Sequence, residues 1–386
     1  MKNGDSAHVR VQVFFLVMAA LTNVYITQPV LPVLEREFGS DAAKTSLTVS
    51  AVILGIALAN LPFGMLADRY AIRPIILIGG IVVSAGAFLC AAAASLGLLI
   101  AVRFVQGLFI PAITTCLAAY LSRNLPPERL NVVMGSYVSA TVAGGLGGRL
   151  LGGFIHPPLH WRYAFVSAGV ILLAATVVAV RGLPGEERIP LRENSSAGFF
   201  ELVRRPALFR TYLAAFSAFF VFSSVFNYLP FYLSAPPFHA PTGVITSMYL
   251  AYIVGIVIGP LSGTLSNRIG NGMTMALGST VFLTGISLTL IKSFAVIAAS
   301  LVGICAGFFA VHASAVGSLN RKLTSSQGRA NSLYVLFYYL GGAAGITVSG
   351  MFYVADGWKG VVLCGCLALL VPFGIGIAER LKDQTR

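Results

Sequence analysis

The chain has 386 residues, of which 57% are hydrophobic and 10% charged, and its net charge is +13. Soluble domains carry about 25% charged residues, so this chain is too poor in charge to cover a water-facing surface, and a bilayer is the solvent that fits it. The positive balance does not point to nucleic acid. The basic residues form no block with interleaved aromatics but fall between apolar runs, where a membrane protein keeps its topology signals.

A membrane helix needs about 20 apolar residues. Twelve runs meet this, over 11–33, 46–66, 75–94, 98–120, 131–155, 162–182, 208–233, 243–266, 273–291, 295–318, 327–353 and 358–379. The first run is too long for the core of a cleavable signal peptide and reads as a membrane helix. Cys90, Cys116, Cys305, Cys364 and Cys366 all lie inside apolar stretches without zinc-type spacing. They read as small packing residues, and no metal or cofactor is expected. His156 and His160 are separated by Pro157 and Pro158, which would break a helix aligning them, so they read as loop residues.

With both termini in the cytoplasm, the inner segments hold 19 of the 26 Lys and Arg and the outer loops five, leaving Arg103 and Arg149 inside helices. That asymmetry sets the orientation. The longest polar segment, 183–207, divides the chain into expected bundles at 1–182 and 208–386. Either it is a flexible stretch ending in a short amphipathic helix on the membrane surface, or it is a plain charged linker.

The halves echo each other. Gly64-Met-Leu-Ala-Asp68-Arg69 recurs as Gly263-Thr-Leu-Ser-Asn267-Arg268, at an offset of 199. Gln106-Gly107 recurs as Ala306-Gly307 and Arg129-Leu-Asn131 as Arg329-Ala-Asn331, both at 200, and Trp161-Arg162 recurs as Trp358-Lys359 at 197. Four matches near one offset indicate a duplicated six-helix unit. Two parallel six-helix repeats are a transporter architecture, with the solute site expected at the repeat interface near mid-membrane. The expected fold class is therefore an all-α membrane protein of twelve transmembrane helices in two such repeats.

An intramembrane arginine costs about 2.5–3.5 kcal/mol at a helix centre and is functional by default. Arg103 and Arg149 both fall in the outer part of the bilayer, where snorkelling to the interface is the competing explanation. All 13 acids lie outside the apolar cores. This favours a neutral or anionic solute over a cation. His312 lies well inside a run; an imidazole titrates near physiological pH, so it is a candidate proton carrier beside the plainer reading of a packed, hydrogen-bonded ring. Buried amides and phenols need partners, which makes Asn23, Tyr25, Gln28, Gln106, Tyr137, Asn227, Tyr228, Tyr252, Asn331 and Tyr334 candidate solute contacts.

The loop Gly64-Met-Leu66-Ala-Asp68-Arg69-Tyr-Ala71-Ile72-Arg73 resembles the helix 2–3 motif of the major facilitator superfamily, with Ala71 and Ile72 departing from its second Gly and first basic residue. Arg103-Phe-Val-Gln106-Gly107 is similar to the helix 4 motif of the family's drug-antiporter branch. Gly144-Gly-Leu-Gly-Gly148-Arg149-Leu-Leu-Gly152-Gly153 keeps the glycines of the antiporter helix 5 motif and puts Arg149 at its proline. Together with Tyr25-Ile-Thr-Gln28-Pro29, these resemble bacterial twelve-helix drug- or arabinose-efflux-like permeases.

The resemblance implies a proton-coupled secondary transporter in a bacterial inner membrane, exporting a small organic solute by alternating access as a monomer. It implies a gate at Gly64, Asp68, Arg69 and Arg73, with Asn267, Arg268 and Arg329 in the second half, and coupling through Arg103, with Arg149 and His312 as further candidates. An importer or uniporter of a metabolite is the alternative. A membrane-embedded enzyme or a receptor ranks last, because the chain has no H-E-x-x-H, G-x-S-x-G or nucleotide-binding motif.

Overall fold

Backbone amides and carbonyls that cross hydrocarbon must satisfy one another within the segment, and a helix does so. A computed structural model of the chain describes residues 3–125, 127–183, 198–323 and 326–384, and these are all-helical, with no strand among them. The helices are α1 (Asn3–Tyr25), α2 (Leu31–Glu37), α3 (Ala42–Arg69), α4 (Ile72–Ala91), α5 (Leu96–Asn124), α6 (Pro127–Ile155) and α7 (Arg162–Gly182). They continue as α8 (Phe199–Arg204), α9 (Pro206–Ser234), α10 (Thr242–Met248), α11 (Val254–Ile269), α12 (Asn271–Leu288), α13 (Phe294–Arg321) and α14 (Gln327–Gln384).

Ten stretches among the described residues are long and apolar enough to cross a membrane. The longest covers 55 residues, Gly328–Lys382, and supplies two crossings because α14 leaves helical geometry at Asp356 and at Gly357, whose φ is 58°. α12, an 18-residue helix outside these ten stretches, is the twelfth. The protein therefore has twelve transmembrane helices, as the apolar runs require.

Two runs are less regular than the sequence predicts. The first, expected as one helix over 11–33, stops at Tyr25, turns through a 3-10 segment at Gln28–Val30 and resumes as α2. Pro29 has no N–H to donate and Pro32 restricts the residue before it. The eighth begins as α10, passes through a 3-10 segment at Tyr249–Ile253 and continues as α11. Local chemistry sets several other ends. Ser95 accepts a hydrogen bond from Leu98 N at 3.3 Å to start α5. Asp41 accepts one from Lys44 N at 2.7 Å at the start of α3, and that bond holds its carboxyl below the usual carboxylate range. Gly270, with φ 86°, parts α11 from α12. The short helix expected at the end of the polar segment is α8, where Arg204 lies 4.2 Å from the Phe200 ring and Leu202 is buried; residues 184–197 lie outside the described residues.

The chain divides into two compact units, residues 1–30 with 51–194 and residues 31–50 with 195–386. In the first, α1 packs on α6 and α7, and α4 on α5 and α7. In the second, α9 packs on α14, α12 on α13 and α14, and α11 on α13. Segment 31–50 joins the second unit through Asn227, which donates to Ser46 Oγ at 2.7 Å, and through the Ser50 and Thr347 hydroxyls, 3.2 Å apart.

The closest helix contacts rest on glycine, as membrane helix pairs commonly do. Gly144, Gly148 and Gly152 sit one turn apart on α6, and a Cβ at any of them would overlap the carbonyls of Met18, Thr22 and Ile26 in turn. The second unit repeats this. A Cβ at Gly341 or Gly345 would overlap the carbonyls of Phe216 or Phe220, and one turn further Ser349 donates to Ser224 Oγ at 2.9 Å. Gly148→Val should therefore lower the unfolding free energy by about 1–3 kcal/mol, the usual cost of overpacking. Gly259→Ala, inside α11 where nothing lies within 4 Å of the new Cβ, should instead raise it by about 0.5–1 kcal/mol, the helix-interior preference for Ala over Gly. Thermal unfolding of the two purified variants in detergent checks the contrast.

Candidate functional site

The break between α1 and α2 organises the first unit. A helix end leaves its last carbonyls without intrahelical donors, and in α1 these include the carbonyls of Asn23 and Val24. Arg103, fully buried on α5, supplies the donors: its Nη1 donates to Asn23 O at 2.5 Å and its Nη2 to Val24 O. A guanidinium is also the charge that a helix C-terminus favours. Nη1 donates in addition to Gln106 Oε1 at 2.8 Å, and Gln106 Nε2 donates to Val83 O of α4 at 2.9 Å. One chain of hydrogen bonds thus ties α5 to α1 and α4, and the Phe165 ring of α7 lies 5.6 Å from the guanidinium.

Arg149 approaches the break from α6. It is 1% exposed, donates through Nε to Gln28 Oε1 at 2.7 Å and through Nη1 to Gly145 O at 2.6 Å, and lies 4.0 Å from the Tyr25 ring centroid. Among the described residues, Asn23 Oδ1, Thr27 Oγ1 and Gln28 Nε2 are buried without a hydrogen-bond partner. The structure therefore brings together six residues singled out from the sequence: Asn23, Tyr25, Gln28, Arg103, Gln106 and Arg149. Thr27 is the member that sequence reasoning missed, although it lies between two residues that it named. No Asp or Glu among the described residues is buried. The most shielded acid in an ion pair, Glu379, has 14% of its side chain exposed; it pairs with Lys322 and accepts from Ser318 Oγ at 2.9 Å.

The second unit has an aromatic centre. His312 Nδ1 and Tyr334 OH are 2.9 Å apart, and the His312 ring lies 5.3 Å from that of Tyr338. Phe222 stacks on Phe308 at 3.8 Å and Phe219 on Tyr338 at 3.9 Å, and Tyr252 meets Phe222 edge-on at 5.1 Å. Periodicity alone does not separate these phenylalanines from an ordinary apolar face. The other candidate contacts are pinned separately. Asn227 holds Ser46, and Tyr228 OH donates to Ile346 O at 2.8 Å. Asn331 donates to Asn320 Oδ1 at 3.1 Å, and in the first unit Tyr137 OH donates to Thr114 O at 3.1 Å.

At the ends of the helices, Asp68 pairs with Arg123, whose Nη1 also donates to Ala67 O at 2.5 Å. The second unit repeats the arrangement with an amide, Arg321 donating to Asn267 Oδ1 at 2.7 Å. Gly64 sits one turn before Asp68, Arg69 and Arg268 are exposed at their helix ends, Arg73 lies in the first turn of α4, and Arg329 lies 5.8 Å from the Phe199 ring. Arg123 and Arg321 were not singled out from the sequence, yet Leu-Ser-Arg-Asn-Leu recurs as Leu-Asn-Arg-Lys-Leu at an offset of 198.

A twelve-helix membrane protein with a broken first helix and duplicated helix-end clamps is of the secondary-transporter class. The profile described as Major Facilitator Superfamily matches residues 13–346. The chain is 30% identical over 385 residues to the inner membrane transport protein YnfM of Escherichia coli K12, covering 97% of this chain and 92% of that protein. It is 28% identical over 368 residues to the uncharacterized MFS-type transporter YybF of Bacillus subtilis, covering 93% and 90%. A solved bacterial homolog of the human lysosomal transporter Spinster, inward-facing and unoccupied, shares its fold with a TM-score of 0.76 at 17% identity, covering 99% and 95%. The chain belongs to the major facilitator superfamily of membrane transporters.

Replacing Arg103 by Met takes the donor from the Asn23 and Val24 carbonyls and leaves Gln106 Oε1 with the Cys90 thiol at 3.7 Å, at about 1–3 kcal/mol for each buried group left unsatisfied. Arg103→Met should therefore unfold at a markedly lower temperature than wild type. Arg103→Lys should recover only part of the loss, since an ammonium lacks the planar fork that reaches two carbonyls together. Thermal unfolding of the detergent-purified variants reads both.

Proposed function

We propose that this protein is a proton-coupled secondary transporter that exports a small organic solute, neutral or anionic, by alternating access. The observation that carries this reading is the pair of buried arginines at the α1 break, with no buried acid among the described residues. A cationic solute would bring a second positive charge into a low-dielectric region that already holds two, whereas an anion offsets them. Export and proton coupling are supported by the helix 4 and helix 5 motifs around Arg103 and Arg149, with His312 and its Tyr334 partner as the candidate titrating pair.

The protein acts as a monomer in the inner membrane with both termini in the cytoplasm, an orientation supported by the distribution of Lys and Arg. It uses no cofactor and performs no bond chemistry on its solute. The expected bundles are 1–182 and 208–386, joined by 183–207. The polar and aromatic candidates Asn23, Tyr25, Gln28, Gln106, Tyr137, Asn227, Tyr228, Tyr252, Asn331 and Tyr334 contribute the solute contacts. The loop group Gly64, Asp68, Arg69 and Arg73, with Asn267, Arg268 and Arg329, contributes the gate.

Proteoliposomes with an imposed pH gradient, offered organic anions, neutral sugars and lipophilic cations side by side, test the reading. Gradient-driven accumulation should be greatest for an anionic or neutral solute; a lipophilic cation moving best would overturn it. Asp68→Asn tests the gate. The Asp68–Arg123 pair is exposed, and such pairs contribute about 0–1 kcal/mol. Stability should therefore stay near wild type while the flux rate falls at least tenfold, on the order expected of a lost gating contact. Equal flux would remove Asp68 from the cycle.

A further inference from the structure

A transporter of neutral or anionic solutes needs a place for the solute's polar head, and one corner of the α1 break has the chemistry of such a place. Gln28 Oε1 is committed to Arg149 Nε at 2.7 Å. The orientation of the amide is thereby fixed, because the group facing a guanidinium must be the acceptor. Gln28 Nε2, which can only donate, then lies beside the guanidinium, fully buried, with no acceptor among the described residues. The hydroxyl of the neighbouring Thr27, also fully buried, has no partner there either. Unsatisfied buried donors are costly, and native proteins fill such positions with a ligand or ordered water.

The charge points the same way. Arg149 is 1% exposed, and it also meets the Gly145 carbonyl and the Tyr25 ring. The Gln28 and Thr27 donors therefore sit beside a buried positive charge. A compact group that only accepts hydrogen bonds and carries negative charge suits both. A carboxylate has two oxygens with about four acceptor sites and suits a guanidinium and an amide together. The half-buried Tyr25 ring, 4.0 Å from the guanidinium, covers its face.

We propose that the break in α1 is a carboxylate-binding subsite, formed by Arg149, the Gln28 amide and the Thr27 hydroxyl under the Tyr25 ring. The proposal rests on the transport reading above and narrows its solute to an organic carboxylate.

The test titrates detergent-purified full-length protein with benzoate, acetate and gluconate. Chloride and inorganic phosphate serve as free anions, and benzamide serves as a neutral isostere; thermal unfolding reports the apparent Kd. The decisive variant is Gln28→Glu, which fills the corner with a carboxylate of its own, pairs with Arg149 and should fold at least as well as wild type. The organic carboxylates should stabilise the wild type, and benzamide should not. Gln28→Glu should weaken carboxylate binding at least tenfold, and Thr27→Val should weaken it measurably. Ser84→Ala, which removes a buried unpartnered hydroxyl from α4, should leave it unchanged.

Four results would each overturn the proposal: no carboxylate response in wild type, an equal response to benzamide, a response to chloride or phosphate alone, or unaltered affinity in Gln28→Glu. Flux separates the two layers. If the binding pattern holds but proteoliposomes move none of the carboxylates, the subsite stands and the transport reading fails. If carboxylate flux occurs with an unchanged KM in Gln28→Glu, transport stands and the subsite fails.

Discussion

A helix that ends inside hydrocarbon exposes carbonyls that water cannot reach, and much of the first unit is arranged around that one constraint. The carbonyls of Asn23 and Val24 need donors, and a buried guanidinium delivers two from a single side chain together with the charge a helix C-terminus favours. A lysine would reach one. Each carbonyl left bare would cost about 1–3 kcal/mol, so Arg103 is as much a part of helix 1 as of its own helix. Gln106 continues the chain to Val83 and sets the depth at which α4, α5 and α1 meet.

The same constraint explains the glycines. Arg149 reaches Gln28 only because α6 lies close along α1, and that approach requires the absence of a Cβ opposite Met18, Thr22 and Ile26. The second unit keeps the scheme between α9 and α14 but fills it differently. At the position equivalent to Arg149 stands Ile346, whose carbonyl takes the Tyr228 hydroxyl, and at that equivalent to Gly152 stands Ser349, bonded to Ser224. The duplication preserved the backbone approach and let the side-chain chemistry diverge, towards guanidinium and amide in one unit and towards stacked rings around Phe222, Phe308 and Tyr338 in the other.

Most of this architecture was legible in the sequence, because hydrocarbon admits few solutions. Apolar runs of sufficient length must be helices, and a common offset near 200 residues marks the repeat. Arg103, Arg149, Gln28 and Asn23 were visible as polar groups in apolar runs, and the structure gathers them at one place. What was not legible was the break itself. Run length treats 11–33 as continuous, while Pro29 and Pro32 end the hydrogen-bond ladder within it. The partners at the helix ends escaped for another reason. Arg123 and Arg321 look like ordinary topology-setting charges, and only their shared offset of 198, with leucines on either side, distinguishes them. The aromatic centre could not be read at all, since phenylalanines at helical spacing are what any apolar face contains.

The distribution of interaction strength within each unit bears on how such a molecule can move. The clamp on α1 is buried and multiply bonded, so breaking it would strand several acceptors at once. The Asp68–Arg123 pair is exposed and worth about 0–1 kcal/mol, and its counterpart Asn267–Arg321 involves only one charge. A conformational change within reach of thermal energy breaks the weak bonds at the helix ends and leaves the strong ones intact. The polar cluster at the α1 break is therefore held as a preformed piece, with its guanidiniums already oriented.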